Sequence, residues 1–175
     1  MRRVLIAALA LACTVGVAGA APAPKLVIEG DRALAGVRLL SPKSAVEARL
    51  GRPDSARRIG AYNCRVVWKR LGLTMLLIDL SEGSPCRAGV FQSATITSRA
   101  WRTVKGLHIG ATTSRLRRLY PAARFRDPGY PPYRGWWLVP RRTCAEVGAQ
   151  PYPGLLARVT GGRVSAFVML VTACE

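Results

Sequence analysis

A segment that occurs twice in the chain constrains the fold more than any other feature. Residues 36–50 and 106–120, seventy positions apart, both begin with a glycine and carry a serine at the same internal position. Apolar residues match at four further positions, and the last two of each copy are four residues apart, as on one face of a helix. We therefore expect one helix-containing unit to be present in two copies. The matched apolar pairs are Val37/Leu107, Leu39/Ile109, Val46/Leu116 and Leu50/Tyr120.

Capping and turn residues predict where the helices and strands begin and end. In the first copy, Ser41 is the predicted N-cap and Pro42 the first helical residue. In the second copy, Thr112 or Thr113 is the predicted N-cap, and Pro121 ends the helix. Apolar runs bounded by turn residues predict one N-terminal strand and three strands after each helix, at residues 25–29, then 64–68, 73–80 and 90–97, then 136–139, 155–159 and 163–171.

These elements predict an α+β fold made of two tandem units, each a helix followed by a three-stranded antiparallel sheet. The units span residues 36–105 and 106–175, and residues 21–35 form an N-terminal segment with the short strand. Glycine-containing turns between the strands favour hairpins, and hence an antiparallel sheet. We expect the helices to cover one face of the sheet and the other face to be more open.

The first twenty residues have the composition of a secretory signal peptide. Arg2 and Arg3 precede an apolar run, and the small residues 18–20 form a cleavage site after Ala20. Two alternatives are an uncleaved N-terminal anchor and a lipoprotein site at Cys13. No later stretch has the roughly 20 apolar residues that a membrane span needs. The remaining 155 residues (175 less 20) are therefore expected to be exported to the cell envelope or beyond, without a transmembrane span.

An exported chain with four remaining cysteines is expected to contain two disulfides. Four cysteines allow three connectivities, and pairing within each repeat copy favours Cys64–Cys86 and Cys144–Cys174. The wide cysteine spacing and the single histidine, His108, argue against a metal site. No phosphate-binding loop follows a predicted strand, and we expect no cofactor.

The charge balance is strongly basic, with 27 basic and 9 acidic residues. The net charge of +18 falls to +16 when Arg2 and Arg3 are removed, and arginine outnumbers lysine 23 to 4. One interpretation is the coding bias of a GC-rich genome, and the other is attraction to an acidic wall polymer, lipid head groups or an acidic protein. Export and the scatter of the basic residues argue against nucleic acid as the partner.

Residues that usually carry catalysis are scarce. His108 lies between two apolar residues of the repeated segment, where the first copy has Arg38, so we interpret it as a polar position of an alternating segment. Asp79 and Glu82 lie in a turn before Cys86, and we interpret them as part of a solvated loop. No catalytic residue is assigned, and an enzyme is not expected.

A cluster of aromatic residues around one arginine has the composition of a binding site, because both residue types are enriched at interface hot spots. Trp136 and Trp137 are adjacent in a predicted strand, so they should face opposite sides of the sheet. If the cluster binds a partner, one tryptophan should be exposed. The candidate binding residues are Tyr130, Tyr133, Arg134, Trp136 and Trp137.

The repeated glycine, the hydroxyl residue, the short helix and the strands with a tryptophan resemble the helix–sheet module of the SmpA/OmlA envelope lipoproteins. Two such modules in tandem, each with its own disulfide, resemble the secreted beta-lactamase inhibitor protein family over residues 36–175. The resemblance implies that the units share one curved sheet whose concave aromatics grip a protein. We therefore expect a non-catalytic binding or inhibitor-like protein with an unknown protein or envelope partner. The alternative is a structural accessory of the cell envelope, held to anionic polymers or lipid by basic charge.

Overall fold

A computed structural model of the chain describes residues 25–81, 83–129, 133–142 and 151–171. The predicted signal peptide (1–20) and the predicted pair Cys144–Cys174 lie outside these residues. In the part described, the strands form one sheet of four and one sheet of eight, accompanied by three α-helices. None of these helices has the length and apolar character needed to cross a membrane.

The helices and strands are short, and a 3₁₀ turn (Lys69–Leu71) lies between the fifth and sixth strands. In chain order they are β1 (Val27–Glu29), β2 (Ala33–Leu34), β3 (Val37–Arg38), α1 (Lys43–Leu50), β4 (Ser55–Arg58), β5 (Asn63–Trp68), β6 (Leu73–Ile78), α2 (Pro85–Ala88), β7 (Val90–Ile96), β8 (Arg102–Thr103), α3 (Thr113–Leu119), β9 (Arg124–Arg126), β10 (Gly135–Arg142), β11 (Pro151–Thr160) and β12 (Arg163–Leu170).

The eight-stranded sheet has the order β4-β5-β6-β7-β12-β11-β10-β9, and its neighbouring strands are antiparallel. Four strands come from the chain after α1 and four from the chain after α3. The two sets meet where β7 pairs with β12, with Ile96 opposite Phe167. The small sheet has the order β3-β2-β1-β8, and its β1–β8 pair is parallel.

The predicted α+β fold of two helix plus three-stranded units is wrong. The chain is mostly β, with 47% strand and 16% helix, and its strands form sheets of four and eight. The prediction lacks three short strands of the small sheet, β2, β3 and β8, and it lacks β4 and β9, which occupy the two edges of the large sheet. Every side chain in both is exposed, so neither shows the alternation of buried and exposed residues that marks a strand in a sequence. Their arginines are typical of edge strands, which charges protect from pairing with another chain.

The starts of α1 and α3 differ from the predictions by one residue at most, whereas α2 was not predicted. The N-cap of α1 is Pro42, which has extended backbone angles, instead of the predicted Ser41. For α3, the N-cap is Thr112, the first of the two predicted alternatives, and its side-chain oxygen accepts a hydrogen bond from the Arg115 N–H at 3.2 Å. Such a cap stabilises a helix by about 1 kcal/mol.

Matched positions of the repeated segment lie in similar environments. Gly36 and Gly106 both have left-handed backbone angles, with φ of 81° and 78°, a conformation that glycine adopts at no steric cost. The matched apolar residues belong to the main core or pack against it. The duplication itself, and the unit boundaries at 36–105 and 106–175, stay predictions from the sequence.

The main core lies between one face of the large sheet and the helices. Val46 of α1, Cys86 of α2 and Leu116 of α3 all contribute to it. Trp68 and Trp101 are its largest fully buried side chains, and each indole N–H donates to a backbone carbonyl at 2.8 Å. The disulfide Cys64–Cys86 joins β5 to α2, which confirms the first predicted cysteine pair.

Candidate functional site

The predicted aromatic cluster is divided between the two faces of the large sheet. Trp136 packs against the main core on the helix side, whereas Trp137 belongs to a small second cluster with Leu156 and Val168 on the other side. Adjacent strand residues alternate in this way because of the pleat. Tyr130 lies outside the described residues.

Trp137 is the buried member of the pair, with 4% of its surface exposed. Its indole N–H donates to the backbone carbonyl of Tyr133 at 2.8 Å, and its ring packs with Leu156 and Val168. The guanidinium of Arg126 lies 4.9 Å from the ring centroid, within cation–π distance. Trp137 is therefore held in place on three sides, as a structural residue is.

Trp136 is half-buried, on the helix side of β10. The ring of Phe125, itself half-exposed, meets it edge-on at a centroid distance of 6.3 Å, and the Arg117 guanidinium lies 5.0 Å from its centroid. Arg134 is exposed and forms a salt bridge with Asp127 at 3.1 Å. The five predicted binding residues therefore do not form one continuous patch among the described residues.

The face of the large sheet that bears Trp137 is the face opposite the helices, and we call it the open face. The buried side chains of α1 and α3, and Cys86 of α2, contribute to the opposite face. Strand register defines the open face as two rows of directly paired residues, the first Arg57, Arg65, Leu76, Ser93 and Leu170, and the second Ser55, Val67, Thr74, Thr95, Val168, Leu156, Trp137 and Arg124.

The centre of the open face combines apolar and hydroxyl side chains that are only half-buried. On this face, β6 carries Thr74, Leu76 and Ile78, and Ser93 and Thr95 of β7 lie opposite or beside them. Buried sheet faces are usually apolar and fully covered, and solvated ones are usually charged. A half-covered apolar and hydroxyl surface of this kind is typical of a face that a partner can complete.

Arginines flank this centre on both sides. Arg57 and Arg65 lie at the β4 edge, and Arg124 and Arg126 at the β9 edge, with Arg158 of β11 on the same face. None of these five forms a salt bridge with a described residue. No acidic residue occupies a described strand position of the open face. The sequence carries no sign of Arg57, Arg124 and Arg126 as strand residues, because β4 and β9 lack apolar alternation. It also does not show that Arg65 and Arg158 share a face with them.

The groups examined for catalysis have ordinary structural partners. His108 Nδ1 lies 2.9 Å from the carbonyl oxygen of Ile109. Asp79 accepts hydrogen bonds from the hydroxyl and the backbone N–H of Ser81, and these bonds hold the pKa of its carboxyl below the usual value. In the described part of the chain, no three His, Cys, Asp or Glu side chains are grouped as a metal site would require.

Tyr120 gives the fold a pH dependence at alkaline pH. Burial raises the pKa of its phenol, against the opposing effect of a hydrogen bond with Thr103. A folded-state pKa above the unfolded value contributes stability that is complete below about pH 10 and is lost as the pH rises through the folded-state value. We expect Tyr120→Phe to lose less unfolding free energy than the unaltered protein in this range, as measured by denaturant unfolding at a series of pH values. If the unfolding free energy of both proteins depended on pH in the same way, Tyr120 would not be the source of the pH dependence.

Comparisons with protein-family models, with curated proteins and with solved structures give no match to this chain.

Proposed function

We propose that this chain is an exported, non-catalytic binding or inhibitor-like protein that holds a partner protein on the open face. The observation that carries the proposal is the half-buried apolar and hydroxyl centre on β6 and β7, flanked by arginines that form no salt bridge with the residues the structure describes. Protein interfaces commonly combine an apolar centre with a polar rim, and arginine is enriched in them.

The partner that fits this surface is an acidic protein with an apolar contact region. Leu76 and Ile78 would exclude water at the centre, where hot-spot contacts contribute most of the affinity. Arg57, Arg65 and Arg124 would attract carboxylates at the edges, which speeds association and orients the partner. An interface of about 800 Å² on this chain is the ordinary size for a stable complex.

The disulfide supports the exported location that the proposal includes. Cys64–Cys86 links a core strand to α2, and disulfides of this structural kind persist in oxidising compartments. The predicted signal peptide at residues 1–20, with cleavage after Ala20, would deliver the chain there.

A second candidate function is the structural accessory held to an anionic envelope by charge. It is favoured by the many exposed arginines, of which only Arg134 and Arg141 form salt bridges in the part of the chain that the structure describes. Salt separates the two functions. At a few hundred millimolar salt the Debye length is about 5 Å, so an accessory held by charge should leave the envelope, while a partner held by an apolar centre should stay bound.

The open-face proposal is tested by a matched pair of substitutions, Leu76→Asp on the open face and Val104→Asp elsewhere. Val104 is 64% exposed and lies outside the large sheet. The partner is first captured from culture medium and envelope with the unaltered protein, then purified and titrated by calorimetry. We expect Leu76→Asp to raise the Kd at least about 30-fold, which corresponds to a hot-spot loss of about 2 kcal/mol.

Val104→Asp should leave the Kd within about twofold, since substitutions on exposed positions away from a contact have small effects. Thermal unfolding of both variants controls for loss of the fold. A captured partner that binds Leu76→Asp as tightly as the unaltered protein would contradict the open-face proposal.

A further inference from the structure

A second surface of interest lies where the loop before α3 meets the hairpin of β11 and β12. Backbone hydrogen bonds join the two segments. The Gly110 N–H donates to the Val164 carbonyl at 2.7 Å, and the Val164 N–H donates to the Ala111 carbonyl at 2.8 Å. The loop is therefore held against the hairpin in a fixed position.

Two adjoining cavities border this loop, with volumes of about 400 Å³ and 420 Å³. Both are within the usual range for small-ligand sites. They share His108, Gly110 and Arg163, so they form one continuous cleft, which we call the His108 cleft. Its cationic or ionisable lining residues are Arg99, Arg102, His108, Arg115, Arg118 and Arg163.

The charge of the His108 cleft is unopposed. No carboxylate lines either cavity, and none of the five arginines forms a salt bridge in the described part of the chain. Five like charges close together repel one another, and a bound anion removes that repulsion. Because the guanidinium fork matches the oxygens of a phosphate, arginine clusters of this kind favour phosphate groups over halide ions.

Hydrogen-bond donors are already oriented at the centre of the cleft. One Nη of Arg163 donates to the Gly110 carbonyl at 3.0 Å, which fixes this guanidinium at the border of both cavities and leaves its other N–H groups for a ligand. His108 Nδ1 lies 2.9 Å from the Ile109 carbonyl oxygen, and this contact orients the imidazole ring where the two cavities meet. The hydroxyl of Ser114 also lines the second cavity.

We propose that the His108 cleft binds a ligand with two or more phosphate groups, one over each cavity. A soluble diphosphate and the clustered head groups of an anionic phospholipid both have this chemistry. The cleft shares no residue with the open face, so this inference does not depend on the function proposed above.

The test uses two probes and two variants with the same change of charge. Arg99→Gln/Arg118→Gln removes one exposed arginine from each cavity, and Arg57→Gln/Arg65→Gln removes two from the open face. Sodium pyrophosphate is titrated by calorimetry at about 150 mM salt, where charges further apart than about 8 Å are screened. Vesicles of phosphatidylcholine with and without phosphatidylglycerol are sedimented with the protein under the same conditions.

We expect saturable binding of at least one probe, weakened at least about tenfold by the cleft variant and less than about twofold by the open-face variant. Binding of pyrophosphate alone would identify a soluble ligand, and capture by phosphatidylglycerol vesicles alone would identify lipid head groups. Thermal unfolding of both variants controls for loss of the fold. Absence of saturable binding to either probe, or a loss that is equal in the two variants, would overturn the proposal, because an equal loss would indicate net charge and no defined site.

Discussion

Replacing Trp137 with alanine is expected to lower the free energy of unfolding by about 3–5 kcal/mol, the usual cost of truncating a buried tryptophan. The side chain is 4% exposed, and its ring fills the small cluster with Leu156 and Val168. The substitution also removes the hydrogen bond from the indole N–H to the Tyr133 carbonyl. Chemical denaturation followed by far-UV circular dichroism measures the change, because the variant loses one fluorophore.

The neighbouring substitution Trp136→Ala is the matched control. Trp136 is half-buried, and its ring contacts Phe125 and Arg117 near the edge strand β9, so we expect a loss of about 1–2 kcal/mol. The decisive result is which of the two variants loses more free energy of unfolding. Equal losses, or a greater loss for Trp136→Ala, would show that the second cluster does not support the sheet as its burial indicates.

These two tryptophans illustrate how far the sequence determines the site. The period of two along a strand predicts that Trp136 and Trp137 face opposite sides. It does not predict which one is buried, because that depends on β11 and β12, which place Leu156 and Val168 beside Trp137. The cluster was therefore predicted from residue types, and the structure shows two separate environments.

Some strands of the fold have an apolar pattern in the sequence, and others have none. The strands β5, β6 and β7 alternate or run apolar, and each was predicted to within two residues of its observed ends. Edge strands pair on one side only and bury little, so β4 and β9 have no apolar pattern to recognise. Without them the predicted sheet had six strands in place of eight, and the edge arginines Arg57, Arg124 and Arg126 were not recognised as part of the open face.

Charge was visible in the sequence, but its arrangement was not. Coding bias and a binding site would both produce an excess of arginine over lysine, so the composition does not distinguish them. Only the strand register places Arg57 and Arg65 side by side, and only the loop before α3 brings Arg99 and Arg118 to one cleft. The two sites proposed for this chain are therefore separable by variants that remove the same number of charges.

Removal of the disulfide by Cys64→Ala/Cys86→Ala is expected to lower the free energy of unfolding by about 3 kcal/mol. The two cysteines are separated by 22 positions, and the chain-entropy model gives this value for a closed loop of that size. For a chain of this length the unfolding midpoint should fall by roughly 6–12 °C.

The loss should also be visible locally, at α2. This helix has four residues, far fewer than an isolated helix needs for stability, so it depends on the bond from Cys86 to the buried Cys64 and on its packing against the sheet. Relative to the unaltered protein, the variant should therefore show faster hydrogen exchange at the amides of Arg87 to Gly89. The increase should be smaller in β12, which lies at the centre of the sheet. Peptide mapping of the unaltered protein without reductant is the control, and a bond from Cys64 to any cysteine other than Cys86 would contradict both the pairing and the stability it is expected to provide.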